Sequence, residues 1–162
     1  MNELVASAFR GSPMFAVVER AIGFLDRVPY AILALPLRAA VATVFWNSAT
    51  AKLANWDTTI ELFTDEYKVP LLTPEIAANL ALAIELTTPV LLVLGLLTRA
   101  AAFVLLGMTA VIEIFVYPQA WPTHIQWAAM LLVLVCRGAG TVSLDHVLWT
   151  RLRGRSADRP TA

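Results

Sequence analysis

Between Ile76 and Tyr117 the only charged residues are Glu85, Arg99 and Glu113. A stretch so poor in charge has no surface to offer water. It is long enough for two membrane crossings, since a spanning helix needs about 20 largely apolar residues. The rest of the 162-residue chain follows suit, with 59% hydrophobic and 15% charged residues and a mean hydropathy of +0.70. Soluble domains run at about 45–50% apolar and about 25% charged. A backbone in hydrocarbon must satisfy its own polar groups, and continuous apolar runs of this length do so as helices. The expected class is therefore all-α, an integral membrane four-helix bundle with interfacial amphipathic helices. Zero formal net charge leaves no electrostatic footprint for nucleic acid. With Cys136 as the single cysteine, an intrachain disulfide, a cysteine zinc cage and c-type haem attachment are excluded.

Four spans are expected over residues 30–52, 75–97, 100–117 and 121–137. Thr73 and Pro74 supply a cap and a first-turn proline for the second. The third follows Thr98 and Arg99 so closely that the two should form an antiparallel hairpin. The fourth has an apolar run of only twelve residues, Ile125 to Cys136. It is read as spanning because Trp121, Thr123, His124 and Gln126 extend it into an interface, and because an odd number of spans would misplace the basic tail. Residues 1–27 lack the compact apolar core of a signal peptide. From Met14 to Val28 they place Glu19, Arg20, Gly23, Asp26 and Arg27 on one stripe beside Phe15, Val18, Ile22 and Leu25, the pattern of an interfacial helix. The division is thus 1–27 cytosolic or interfacial, 28–150 the four-span domain, and 151–162 a disordered basic tail near anionic lipid. Arg10, Arg20, Arg27, Arg99, Arg137, Arg151, Arg153, Arg155 and Arg159 would lie on one side, and only Lys52 and Lys68 on the other. That bias puts both termini in the cytosol.

The connection over residues 53–72 carries Thr58 and Glu61 at capping-box spacing, with Ile60, Phe63 and Tyr67 recurring at helical intervals. An external amphipathic helix across the bundle mouth is expected, either as an interfacial tether or as a lid over a pocket.

Ionisable residues inside spans cost at least about 2.5–3.5 kcal/mol at a helix centre unless paired or wet. Arg38, Glu85, Glu113 and His124 are the candidates. Arg38 and Glu85 lie near the middles of the first two spans, so matched depth suggests partners in direct or water-bridged contact. Pro89 frees the Glu85 carbonyl, with Thr87 and Thr88 beside it. A polar cavity for a substrate or proton, a structural ion pair, and an Arg38 that snorkels inward all fit. A second cluster gathers at the outer level, where Lys52, Glu113 and His124 meet Trp46, Asn47, Trp56, Tyr67, Tyr117, Trp121 and Trp127. This is either an aromatic belt with interfacial charges or an external-leaflet pocket. In the pocket reading, Glu113 and His124 exchange a proton as the catalytic pair. Arg38, Glu85, Trp46, Lys52, Tyr67, Tyr117 and Trp127 then bind the substrate. No metal site is expected, because one His with one Glu falls short of the usual three or four ligands. His124 and His146 lie at opposite ends of one span, about 33 Å apart, so a single chain cannot hold a bis-histidine haem.

The residues also carry a family resemblance. Phe45-Trp46 to Lys52, the run Asp65 to Leu72, Glu85 before Pro89, the Gly95 to Arg99 hairpin, and Arg137-Gly138-Ala139-Gly140 with Ser143-Leu144-Asp145 together resemble the DoxX family of small bacterial four-helix membrane proteins. The likeness covers roughly Pro29 to Leu148. It implies a cytoplasmic (inner) membrane location and an association with quinone-linked oxidation of sulfur compounds or with membrane oxidoreductase complexes. The expected function is therefore a non-autonomous membrane subunit of a quinone-linked oxidoreductase system, binding an apolar redox substrate. It has no intrinsic cofactor, quinone is its ligand, and a soluble or membrane partner brings the electrons. The lipid bilayer is the other expected partner, together with a possible homo-oligomer. Two alternatives remain open, a small-molecule binding or permeation module and a membrane scaffold for a soluble enzyme.

Overall fold

The computed structural model describes residues 13–157, and every regular element among them is helical. They are α1 (Pro13–Leu25), α2 (Tyr30–Ala54), α3 (Trp56–Leu62), α4 (Pro74–Leu94), α5 (Thr98–Val111), α6 (Trp121–Arg137) and α7 (Leu144–Ala157). Helix α3 runs into a π-helical turn, Phe63–Tyr67, and α5 into another, Ile112–Val116. Three segments are long and apolar enough to cross a membrane, Tyr30–Ala54, Pro74–Leu94 and Thr98–Val116. Helix α6 has 17 residues and packs beside α5. The closest pairings are α2 with α4 and α5 with α6, whereas α4 and α5 touch over less of their length despite their hairpin. Val41, Phe45, Leu92, Leu105, Leu131 and Leu134 fill the centre of the bundle.

Local chemistry sets the helix ends. Thr73 Oγ1 accepts from the Ile76 N–H and Pro74 opens α4, as the sequence suggests. The second span stops at Leu94 rather than residue 97, because Gly95 turns left-handed (φ 66°) and the Leu96 N–H reaches back to the Leu91 carbonyl. The third begins at Thr98, two residues early, with the Asp145 carboxylate accepting from the N–H groups of Leu97 and Thr98. An anion at a helix N-terminus is favourable there. The expected capping box at Thr58 does not form. Helix α3 starts at Trp56, and the neighbouring Thr59 hydroxyl instead bonds back to the Asn55 carbonyl at 3.0 Å. Against the expected disorder after Trp149, α7 continues to Ala157, after a start in which Ser143 Oγ accepts from the His146 N–H; residues 158–162 of that tail lie outside the described residues. The first twelve residues of the expected interfacial segment lie outside the described residues, and α1 supplies the remainder.

At one end of the bundle, called the basic end below, Arg38 is the organising residue. It is buried and points to the ends of two other elements. Its Nε donates to the Leu92 carbonyl (2.6 Å) and its Nη2 to the Val93 carbonyl (2.5 Å). Its Nη1 donates to the carbonyls of Val142 (2.8 Å) and Ala139 (3.3 Å). The guanidinium thus supplies a donor to the Val93 carbonyl at the end of α4 and a second one to the Leu92 carbonyl, which also accepts from the Gly95 N–H at 3.1 Å. Nearby, Tyr30 donates its hydroxyl to the Gly138 carbonyl at 2.8 Å, under the Arg137 guanidinium. Gly95 sits so close that an added Cβ would stand 2.6 Å from Ser143 Cβ and 2.8 Å from Arg38 Nη2. Gly95→Ala should therefore combine a left-handed backbone penalty of about 1–2 kcal/mol with an overpacking cost of about 1–3 kcal/mol. The check is a detergent unfolding titration, in which Gly107→Ala, whose Cβ would meet nothing, should be nearly silent.

Candidate functional site

At the opposite, aromatic end the helices enclose a cavity of about 540 Å³. Its walls are mostly aliphatic, from Val44, Ala77, Ala81, Ile84, Met108 and Ile112. Its roof is the segment after α2. Phe63 is buried against Ala77, Ala78 and Ala81 of α4, a stripe small enough to let the ring sit close to the helix. Tyr67 packs edge-on against Phe63 and Tyr117, with the two tyrosine hydroxyls 3.4 Å apart. That contact links the roof to the end of α5. The Tyr67 hydroxyl, then burial and the nearby Glu66, push the Tyr117 phenol above its ordinary range.

Two polar groups face this apolar space. On α2 and α4, Lys52 Nζ donates to both oxygens of the buried Glu85 at 2.8 Å and also to Ser48 Oγ at 2.8 Å. The Ser48 hydroxyl donates in turn to Glu85 Oε1. Ser48 and Lys52 are one helical turn apart, so one face of α2 presents both to the same carboxylate. On α5 and α6, His124 Nδ1 lies 2.6 Å from Glu113 Oε2. Glu113 belongs to the π-helical turn. An extra residue in a turn rotates the side chains that follow it, and such turns recur at functional sites. His124 is 5% exposed, lines the cavity and packs beside Trp127. With Glu113 accepting at Nδ1, its Nε2 has no hydrogen-bond partner among the described residues. A carboxylate on one imidazole nitrogen fixes the tautomer and makes the other the basic position.

The structure therefore brings Lys52, Glu85, Tyr67, Tyr117, His124 and Trp127 around one space, with Glu113 directly behind His124. It separates two expected members from them. Trp46 is exposed on another face of α2, in a shallower groove with Asn47, Pro89 and Val90. Arg38 does not pair with Glu85, because α2 and α4 are shifted along their axes. Ser48 and Lys52 stand level with Glu85, which leaves Arg38 about 15 Å away toward the basic end. Ser48 is not among the expected residues, although it stands one turn before Lys52; Phe63 is expected only as part of the helix across the mouth, and its seat on the alanine stripe of α4 is not legible in the sequence.

Fold and cavity together define a small helical membrane protein whose bundle opens a chiefly apolar chamber near one end. The DoxX family signature matches residues 33–118, more than half of the chain, and the protein belongs to the DoxX family. No curated protein and no solved structure matches the chain.

Proposed function

We propose that this chain is the quinone-binding membrane subunit of an oxidoreductase system, with the chamber at its aromatic end as the binding site. The observation that carries the reading is His124, whose partnerless Nε2 belongs to a buried side chain lining an apolar cavity. A quinone or quinol headgroup has ring faces suited to Trp127 and Tyr67 and an oxygen suited to Nε2. Reduction of a quinone adds two electrons and two protons, and oxidation of the quinol releases them. The chain's part is the proton: Nε2 hydrogen-bonds the headgroup oxygen and passes a proton to or from it, while Glu113 holds Nδ1 and stabilises the imidazolium. The electrons come from a partner dehydrogenase or sulfur-oxidising enzyme. The Lys52, Glu85 and Ser48 group is internally neutral, so it adds polarity to the wall without a net charge that would repel an uncharged ring.

His124→Ala and Glu113→Gln are expected to lower quinone retained by the purified protein at least tenfold and about threefold respectively, with membrane insertion unchanged. Extraction and chromatography of bound lipids measure this directly. Full retention in both variants, together with full activity in cells that depend on the protein, would move the function to a scaffold for a soluble enzyme.

The proposed setting is the cytoplasmic membrane, crossed four times with both termini in the cytosol. Support for the fourth crossing comes from α6, which reaches from the Tyr117 level to the Tyr30 level. Reporter fusions after Tyr67 and after Trp149 should score external and cytosolic respectively. The same score at both positions would refute this topology.

A further inference from the structure

The chamber has an apolar side door. Where α4 and α5 diverge from their hairpin, three residues that line the cavity are also well exposed: Leu80 at 49%, Val104 at 43% and Val111 at 38%. Leu80 lies about 9 Å along α4 from its start, and Val104 about 9 Å along α5 from the opposite end. Both fall inside membrane-spanning segments, so what they face outside the bundle is acyl chain. The roof is held differently, by Phe63 buried on α4 and by the Tyr67 and Tyr117 contact, although Leu72 (40% exposed) and Tyr117 (39%) also line the cavity at that end. The route through lipid is thus rimmed with exposed aliphatic groups, whereas the route from water passes between packed rings and a buried phenylalanine.

We infer that the ligand of this chamber reaches it sideways from the bilayer between α4 and α5. Its substrate class is then a lipid-soluble amphiphile with a polar ring or headgroup at His124 and a long hydrocarbon tail left in the gap between Leu80 and Val104. A ligand delivered from water would need no tail. The inference rests on the proposed quinone site for the identity of the head, but the door itself is independent of it.

The test separates the two. In a background where Trp46, Trp56, Trp121 and Trp149 are phenylalanine, Trp127 is the sole tryptophan and lines the cavity. Reconstituted in vesicles of dibrominated phosphatidylcholine, its fluorescence should be quenched more than twofold. Leu80→Phe with Val104→Phe should remove most of that quenching, and Leu132→Phe, on the exposed side of α6, should not. In nanodiscs of the natural sequence, the double variant should slow uptake of decylubiquinone at least tenfold and leave the water-soluble, tailless ubiquinone-0 unaffected. Trp127 quenching that is absent, or equal in the double variant, overturns the side door. Equal slowing of both quinones also overturns it, in favour of passage through the roof. Quenching as expected, but with neither quinone taken up, keeps the door and its tailed ligand while overturning the quinone headgroup.

Discussion

Arg38→Gln is expected to lower the unfolding free energy by about 3–5 kcal/mol, the cost of leaving two or more buried carbonyls without their donor at about 1–3 kcal/mol each. The wild-type guanidinium donates to four carbonyls, from Leu92, Val93, Ala139 and Val142. Two belong to the end of α4 and two to the segment between α6 and α7, so one side chain ties three parts of the fold together. Hydrogen bonds to a charged donor are worth about 1.5–3 kcal/mol each. Glutamine has two N–H donors and a shorter reach. Arg38→Lys keeps the charge yet loses the planar fork, so it should recover less than half of the loss. Reversible unfolding in mixed micelles measures both variants. A cost below 1 kcal/mol for Arg38→Gln would show that the carbonyls find other partners and that the basic end is held by Asp145 and Tyr30 instead.

This arginine also shows where sequence reasoning stops. Its presence inside a span was plain, and so was the need for compensation, since a lone charge in hydrocarbon is costly. The partner is not legible in the sequence, because equal distance from the helix midpoints does not mean equal depth. Helices in a bundle slide along one another until side chains interlock, and here α2 and α4 settle with Ser48 and Lys52 beside Glu85. No periodicity records that shift. Glu113 and His124 were legible for the opposite reason: a short turn joins their segments, so the chain itself holds them at one level. The three helices long and apolar enough to cross a membrane were legible to within a few residues because apolar runs and the Thr73, Pro74 and Gly95 signals mark them locally. The cavity was not, because an empty space is set by the splay of α4 from α5 and by the seat of Phe63. Both depend on packing between segments far apart in sequence.

The Lys52 and Glu85 pair gives the second large effect. Lys52→Met leaves a buried carboxylate with only Ser48 beside it, and Glu85→Gln leaves an ammonium facing an amide. Each single change should destabilise the protein by about 3 kcal/mol, since either one strands a partner in a low-dielectric wall. The double variant Lys52→Met with Glu85→Gln removes both charges together and should regain at least about 1 kcal/mol over the sum of the singles, within the range found for residues in direct contact. Arg38→Gln combined with Glu85→Gln is the matching control. These sites are about 15 Å apart along the bundle and share no hydrogen-bond partner, so their effects should add to within about 0.5 kcal/mol. The two cycles discriminate because they share one mutation. Coupling at Lys52 with additivity at Arg38 ties Glu85 to the cavity wall, and the reverse outcome would return it to the basic end and remove the polar group from the proposed binding site.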